Sequence, residues 1–142
     1  MAELFIYGTL RDLDVCEAVL GRAVSSHDMK PATAPDYAVF KVANVQYPCM
    51  IPSPSAEADG AVLCHLTSDG LRRLDRFEGE NYQRVPLRIL CEGQAHIVDY
   101  YRPNEALETD GPWSLEQWQL DGKSQFLTLD FNLDGVRKPK DD

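Results

Sequence analysis

The chain predicts an α+β fold, a small curled mixed sheet or a closed β-barrel with flanking helices. Three observations carry this. Strand and helix patterns follow one another in the order β-α-β-β-α-β-β-α. The strand patterns are short. Few connections have the strand–helix–strand form that a doubly wound parallel sheet needs. At 142 residues, with 44% hydrophobic and 26% charged residues, the composition is that of one globular domain whose core needs no disulfide or metal staple.

The elements follow in order. Leu4 to Tyr7 reads as the first strand and runs straight into Gly8. Asp12 or Asp14 caps a helix ending at Leu20, with Gly21 as its stop and Leu13, Cys16, Val19 and Leu20 at helical spacing. Residues 22–60 hold Pro31, Pro35, Pro48, Pro52 and Pro54, so they read as short strands (Tyr37 to Val42, then Met50-Ile51) separated by turns, with 52–59, PSPSAEAD, as a loop. Gly60 opens a strand from Ala61 to Leu66, in which Val62, Cys64 and Leu66 share a face. Thr67 and Ser68 cap a helix over Asp69 to Phe77. Val85 to Leu90 and His96 to Tyr101, turning at Gly93, form a β-hairpin. Ser114 and Gln117 fit a capping box for a helix over about 114–128, with Leu115, Trp118, Gly122, Phe126 and Leu129 on one face and Gly122 as its weak point. The end of that segment also fits a period of two.

Charge and cysteines exclude several functions. The net charge of −9 argues against a nucleic-acid partner, which needs a basic face. The basic cluster Arg137-Lys138-Pro139-Lys140 is followed by two Asp and reads as a solvated tail. No apolar run approaches the ~18 residues of a membrane span, and MAELFIYGTL lacks the features of a secretory signal, so a cytoplasmic location and no membrane partner are expected. Cys16, Cys49, Cys64 and Cys91, with His27, His65 and His96, lack metal-ligand spacing. They read as buried reduced thiols, with no metal site.

One carboxylate is out of pattern. Taking Leu71 as zero and stepping 100° per residue, Leu74 falls at about −60° and Glu78 at about −20°. Glu78 therefore lies on the apolar stripe that faces the core, where an acid acquires a raised pKa and becomes a candidate for acid–base work. The alternative is that the helix ends by Phe77 and Glu78 is solvated beside Gly79 and Asn81, with Glu80 as a competing acid. A second candidate is the strand end Tyr7-Gly8-Thr9-Leu10, whose successive amides form a concavity suited to a carboxylate. It lacks the pattern of a phosphate loop.

Together, FIYGTL at 5–10 and LDRFEGENYQR at 74–84 resemble the γ-glutamylcyclotransferase-like family, which includes the AIG2-like proteins. That family opens with a Tyr-Gly-Ser/Thr-Leu strand-turn and carries its acid–base Glu in a Leu-Asp-x-Phe-Glu segment followed by Tyr-x-Arg, here Tyr82-Gln83-Arg84. YPCMIP at 47–52 and VDYYRP at 98–103 add to the likeness, while Arg11-Asp12-Leu13 departs from the Lys/Arg-Gly that many relatives have after the turn. The resemblance spans a core of about 3–103, leaving 104–142 as a C-terminal helical extension.

The resemblance implies cleavage of a γ-glutamyl amide by its own α-amine, releasing 5-oxoproline and a free amine with no cofactor. The amides of Gly8, Thr9 and Leu10, with Tyr7 beside them, would hold the α-carboxylate. Glu78 would act as base and then acid, and Tyr82 and Tyr101 would line the pocket. Tyr100 replaces Tyr101 if the strand is shifted by one, and Arg84 meets either a substrate carboxylate or a nearby Asp. The partner is then a γ-glutamyl small molecule. A binding module that holds an acidic metabolite in the same pocket without turnover is the alternative.

Overall fold

The computed structural model describes residues 2–136. The basic cluster at 137–140 lies outside them. Five strands close into a barrel: β1 (Ala2–Ile6), β2 (Met29–Val42), β3 (Pro48–Leu66), β4 (Tyr82–Cys91) and β5 (Gln94–Pro103). The sheet order is β3-β1-β5-β4-β2-β6, and β2 pairs again with β3 to complete the ring. β6 (Thr109–Pro112) sits outside it, against Phe40 and Val42. β1 runs parallel to β5, Leu4 opposite Asp99, and antiparallel to β3. The α+β fold with a curled mixed sheet is therefore the observed architecture.

Alternation along the strands sorts the side chains into two cores. Phe5, Tyr7, Met50, Val62, Ile89 and Tyr100 fill the barrel interior. Leu4, Ile6, Leu63 and Tyr101 face outward and are covered by the helices. Helix α1 (Leu13–Leu20) starts at Asp12, whose side chain accepts the Val15 N–H, and stops at Gly21 in the left-handed region. Its buried face carries Val15, Cys16, Val19 and Leu20; Leu13 is 50% exposed, so Val15 takes its place in the stripe. Helix α2 (Ser68–Glu78) is capped by the Thr67 hydroxyl, which accepts from the Gly70 N–H at 3.0 Å.

The stretch 52–59 is a strand, not a loop. β2 and β3 form one long hairpin paired from Met29↔Leu63 to Lys41↔Pro48. Prolines are compatible with it because β1 covers β3 only around 61–66, so the arm holding Pro52 and Pro54 has a single ladder neighbour. The hairpin bends at an irregularity beside Asp36 and Ser55, both at positive φ, where Asp36 accepts the Ser55 N–H at 3.0 Å. A further positive φ, at His65, breaks the alternation: Val62 and Cys64 face the barrel interior while Leu66 joins the outer core. The β4–β5 hairpin turns at Glu92-Gly93, both at positive φ, as a two-residue turn requires.

The C-terminal segment winds through α3 (Leu115–Asp121), a short helix α4 (Lys123–Gln125) and a π-turn (Phe126–Asp130). Ser114 caps α3 by accepting the Gln117 N–H. The wide π-turn shifts the helical phase, so Leu129 is exposed and Asp130 is buried in its stead. There the Asp130 carboxylate accepts the Gln46 N–H at 2.7 Å, and the Trp118 indole donates to the Gln46 carbonyl at 2.7 Å.

Candidate active site

The tip of β1, the end of α2 and the starts of β3 and β4 surround one small cleft, with a cavity volume of about 40 Å³ and part of it open to solvent. Tyr7, Gly8, Thr9 and Leu10 form one wall, and Glu78, Tyr82 and Tyr101 face them across it. All seven residues singled out from the sequence line this cleft.

Each is placed by local structure. β1 ends at Ile6 and the chain tightens into a 3₁₀ turn, Thr9–Arg11, whose first bond runs from the Arg11 N–H to the Gly8 carbonyl at 3.0 Å. The Thr9 and Leu10 amides precede that bond and have no partner within the turn. Gly8 is required by packing, since a Cβ there would lie 2.8 Å from the Pro48 ring; the close neighbour of this backbone is thus a proline. Tyr7 donates from its hydroxyl to the Tyr101 carbonyl at 3.3 Å, tying the tip of β1 to β5.

Glu78 is the last residue of α2 and remains on the helix, with Gly79 at φ 83 reversing the chain after it. Its surroundings are Phe77, Tyr7, Tyr82 and Tyr101. Loss of hydration, then the negative charge of Asp75, pushes its pKa from 4.5 to about 8. The same burial raises the phenols of Tyr7, Tyr82 and Tyr101 well above the usual tyrosine range, and the charge of Glu78 adds to each. The tyrosines are neutral donors here.

Beside the cleft, Asp75 accepts three hydrogen bonds from two residues. The Tyr101 hydroxyl donates to it at 2.6 Å, and Arg84 donates from Nε at 2.7 Å and from Nη2 at 3.3 Å. Arg84 also reaches Asp99 at 3.5 Å. Arg84 is therefore committed to its own chain's carboxylates. Tyr101 faces the cleft, whereas Tyr100 lies inside the barrel, edge-on to Tyr37.

Six of the described wall residues were not assigned from the sequence; Phe5, Ile6 and Phe77 immediately precede assigned positions, and the other three come from elsewhere. Tyr47 and Pro48 come from the connection into β3; the Tyr-Pro pair in YPCMIP was their signal. Val136 arrives from the far end of the chain, and nothing local marks it. Among the described residues, no group of three or more His, Cys, Asp or Glu is placed to hold a metal ion. No helix among them is long and apolar enough to cross a membrane.

The family model described as Gamma-glutamyl cyclotransferase, AIG2-like, matches residues 4–120. The chain belongs to this family. AIG2-like protein A of Arabidopsis thaliana is 34% identical over 142 aligned positions, covering 96% of this chain and 84% of that protein. AIG2-like protein D of the same organism is 30% identical, covering 91% and 86%. A solution structure of an Arabidopsis thaliana protein, 32% identical, superimposes with a TM-score of 0.67 over 89% of this chain and 86% of that one. A solved gamma-glutamyl cyclotransferase, 15% identical, shares the fold at a TM-score of 0.65, over 99% and 90%. The AIG2-like match ends at 120, so Val136 completes the cleft from beyond the matched segment.

Proposed function

We propose that this AIG2-like chain is a γ-glutamyl cyclotransferase with Glu78 as its general acid–base. The observation that carries the reading is Glu78 itself, a carboxyl with a pKa near 8 in the same cleft as the Tyr7–Leu10 turn. The turn's forward amides and the Tyr7 wall suit the α-carboxylate of a glutamyl group. With that end held, the glutamyl chain curls back and its α-amine meets its own γ-carbonyl. Holding the two ends in this near-ring supplies the large effective concentration of an intramolecular attack.

The chemistry then needs one proton shuttle. Glu78 as carboxylate removes a proton from the α-ammonium. The freed amine adds to the γ-carbonyl carbon, giving a tetrahedral oxyanion. When the carbonyl re-forms, the bond to the leaving nitrogen breaks and Glu78 returns a proton to that nitrogen. A further proton lost from the ring nitrogen leaves 5-oxoproline and a free amine. No side-chain nucleophile is required, because the substrate carries its own.

The test is a panel of γ-glutamyl amines, dipeptides and isopeptides assayed for 5-oxoproline, with wild type and Glu78→Gln. Turnover of at least one compound is expected, with kcat lowered by about 10²–10⁴-fold in Glu78→Gln. Saturable binding of the panel without any product from the wild type would replace the reading with that of a binding module for an acidic metabolite.

A further inference from the structure

The described C-terminal segment ends as a strap laid over the end of α2. Phe131 packs tilted against Phe77, ring centroids 5.6 Å apart, and edge-on against Phe126 at 5.9 Å. A tight turn follows, in which Asn132 accepts the Asp134 N–H from its side chain at 2.9 Å and the Gly135 N–H from its carbonyl at 3.1 Å. Asp134 pairs with Arg76 at 3.5 Å. Gly135 then packs on Gly79, and the Val136 N–H donates to the Phe77 carbonyl at 3.0 Å. That last bond sets Val136 beside Glu78.

The position of Val136 matters because two spaces meet there. The glutamyl cleft lies on one side. On the other is a wider groove between the strap and the α2–β4 turn, lined by Asp75, Arg76, Gly79, Glu80, Asn81 and the strap itself. Among the described residues, Glu78 and Val136 are the two that line both. Resting on the function proposed above, the scissile amide must lie at Glu78, since that carboxyl protonates the leaving nitrogen. The glutamyl half occupies the inner cleft, so the amine half has to extend past the same carboxyl.

We propose that Val136 is a specificity-determining residue: with the strap that carries it, it forms the sill over which the leaving amine passes from the cleft into the outer groove. The bulk at 136 then sets the size of amine accepted, and the strap's hold on α2 sets how firmly the sill is placed.

The experiment compares γ-glutamyl methylamide with γ-glutamyl Nε-(Nα-acetyl-lysine), a small and a long leaving amine on one glutamyl head. The readout is the ratio of kcat/KM, long over small, in wild type, Val136→Ala, Val136→Trp and Arg76→Gln. The ratio is expected to fall by about tenfold in Val136→Trp and to rise severalfold in Val136→Ala, the range a pocket wall controls. Arg76→Gln leaves the inner cleft intact, releases the exposed Asp134 pair and changes one wall of the outer groove, and is expected to move the ratio as Val136→Ala does, by less. A ratio unchanged in both Val136 variants, with wild-type melting temperatures, would overturn the proposal. The same ratio read as calorimetric affinities for the Glu78→Gln protein needs no turnover. If the wild type makes no 5-oxoproline but that affinity ratio moves, the cyclotransferase reading fails and the sill stands; if neither amide binds, the sill fails as well.

Discussion

At Glu78 stability and chemistry pull apart. Its carboxyl ionises near pH 8 in the fold against 4.5 for an unhindered glutamate, so folding favours the protonated acid. Below about pH 4.5 both states are protonated and the site is neutral to stability. As the pH rises towards 8 the unfolded chain ionises while the folded one resists, and the penalty grows to a few kcal/mol, since each pH unit of displacement corresponds to about 1.4 kcal/mol. Glu78→Gln removes that penalty. The variant is expected to melt close to wild type at pH 4 and progressively above it up to pH 8, with a constant difference beyond; a pH-independent difference would contradict the account. Activity has the opposite sense. The reaction proposed above needs one proton shared between Glu78 and the substrate's α-amine. The kcat/KM of the wild type should therefore rise through about pH 8, where free Glu78 ionises, and fall where the free α-ammonium titrates.

At the scale of the element, α2 works as an arm that positions this acid, and its fixing point is Asp75. Arg84 on β4 and Tyr101 on β5 both donate to that carboxylate, so helix and barrel are joined one turn before Glu78. Asp75 also supplies the charge that adds to burial in raising the Glu78 pKa. Asp75→Asn is expected to move the acidic limb of the kcat/KM profile to lower pH and to lower stability by about 1 kcal/mol, the upper range for a part-exposed pair. A limb that stays at wild-type pH would assign the raised pKa to burial alone. Much of this element was legible in the chain: the Thr67 cap, the Leu71/Leu74 stripe and the misplaced Glu78 are local patterns, and so is the Glu92-Gly93 hairpin. What was hidden is non-local. The prolines of 52–59 read as loop because the sequence does not show that only one neighbour pairs with that arm of β3. The phase error at Leu129 came from a π-turn, and Val136 reaches the cleft through contacts with residues some sixty positions away.

For the whole molecule, the question is whether the extension after β5 is an appendage or part of one cooperative unit. The contacts favour the second. Trp118 and Phe126 are 4% and 0% exposed and belong to the same outer core as Leu4, Leu63 and Leu74. Lys123 reaches back to the α1 cap, pairing with Asp12 at 2.9 Å and Asp14 at 2.7 Å. β6 is hydrogen-bonded to β2. Both tryptophans of the chain, Trp113 and Trp118, lie in the extension, while the strands reside almost entirely in the barrel. Tryptophan fluorescence therefore reports the extension and far-ultraviolet dichroism the barrel. Coincident urea transitions by the two probes are expected, as for a two-state domain. Phe126→Ala, which leaves a void against Trp118, should shift both transitions together by about 3–5 kcal/mol. The buried thiols supply an independent check. Burial raises Cys16 to about 12 and Cys49 to about 11, and the thiolate is the reactive form. Alkylation of these two at pH 8 should then wait for unfolding and follow the same transition. Fluorescence that unfolds ahead of dichroism, with the thiols still protected, would instead make the extension a separable layer, and the cleft would lose its Val136 wall before the barrel opened.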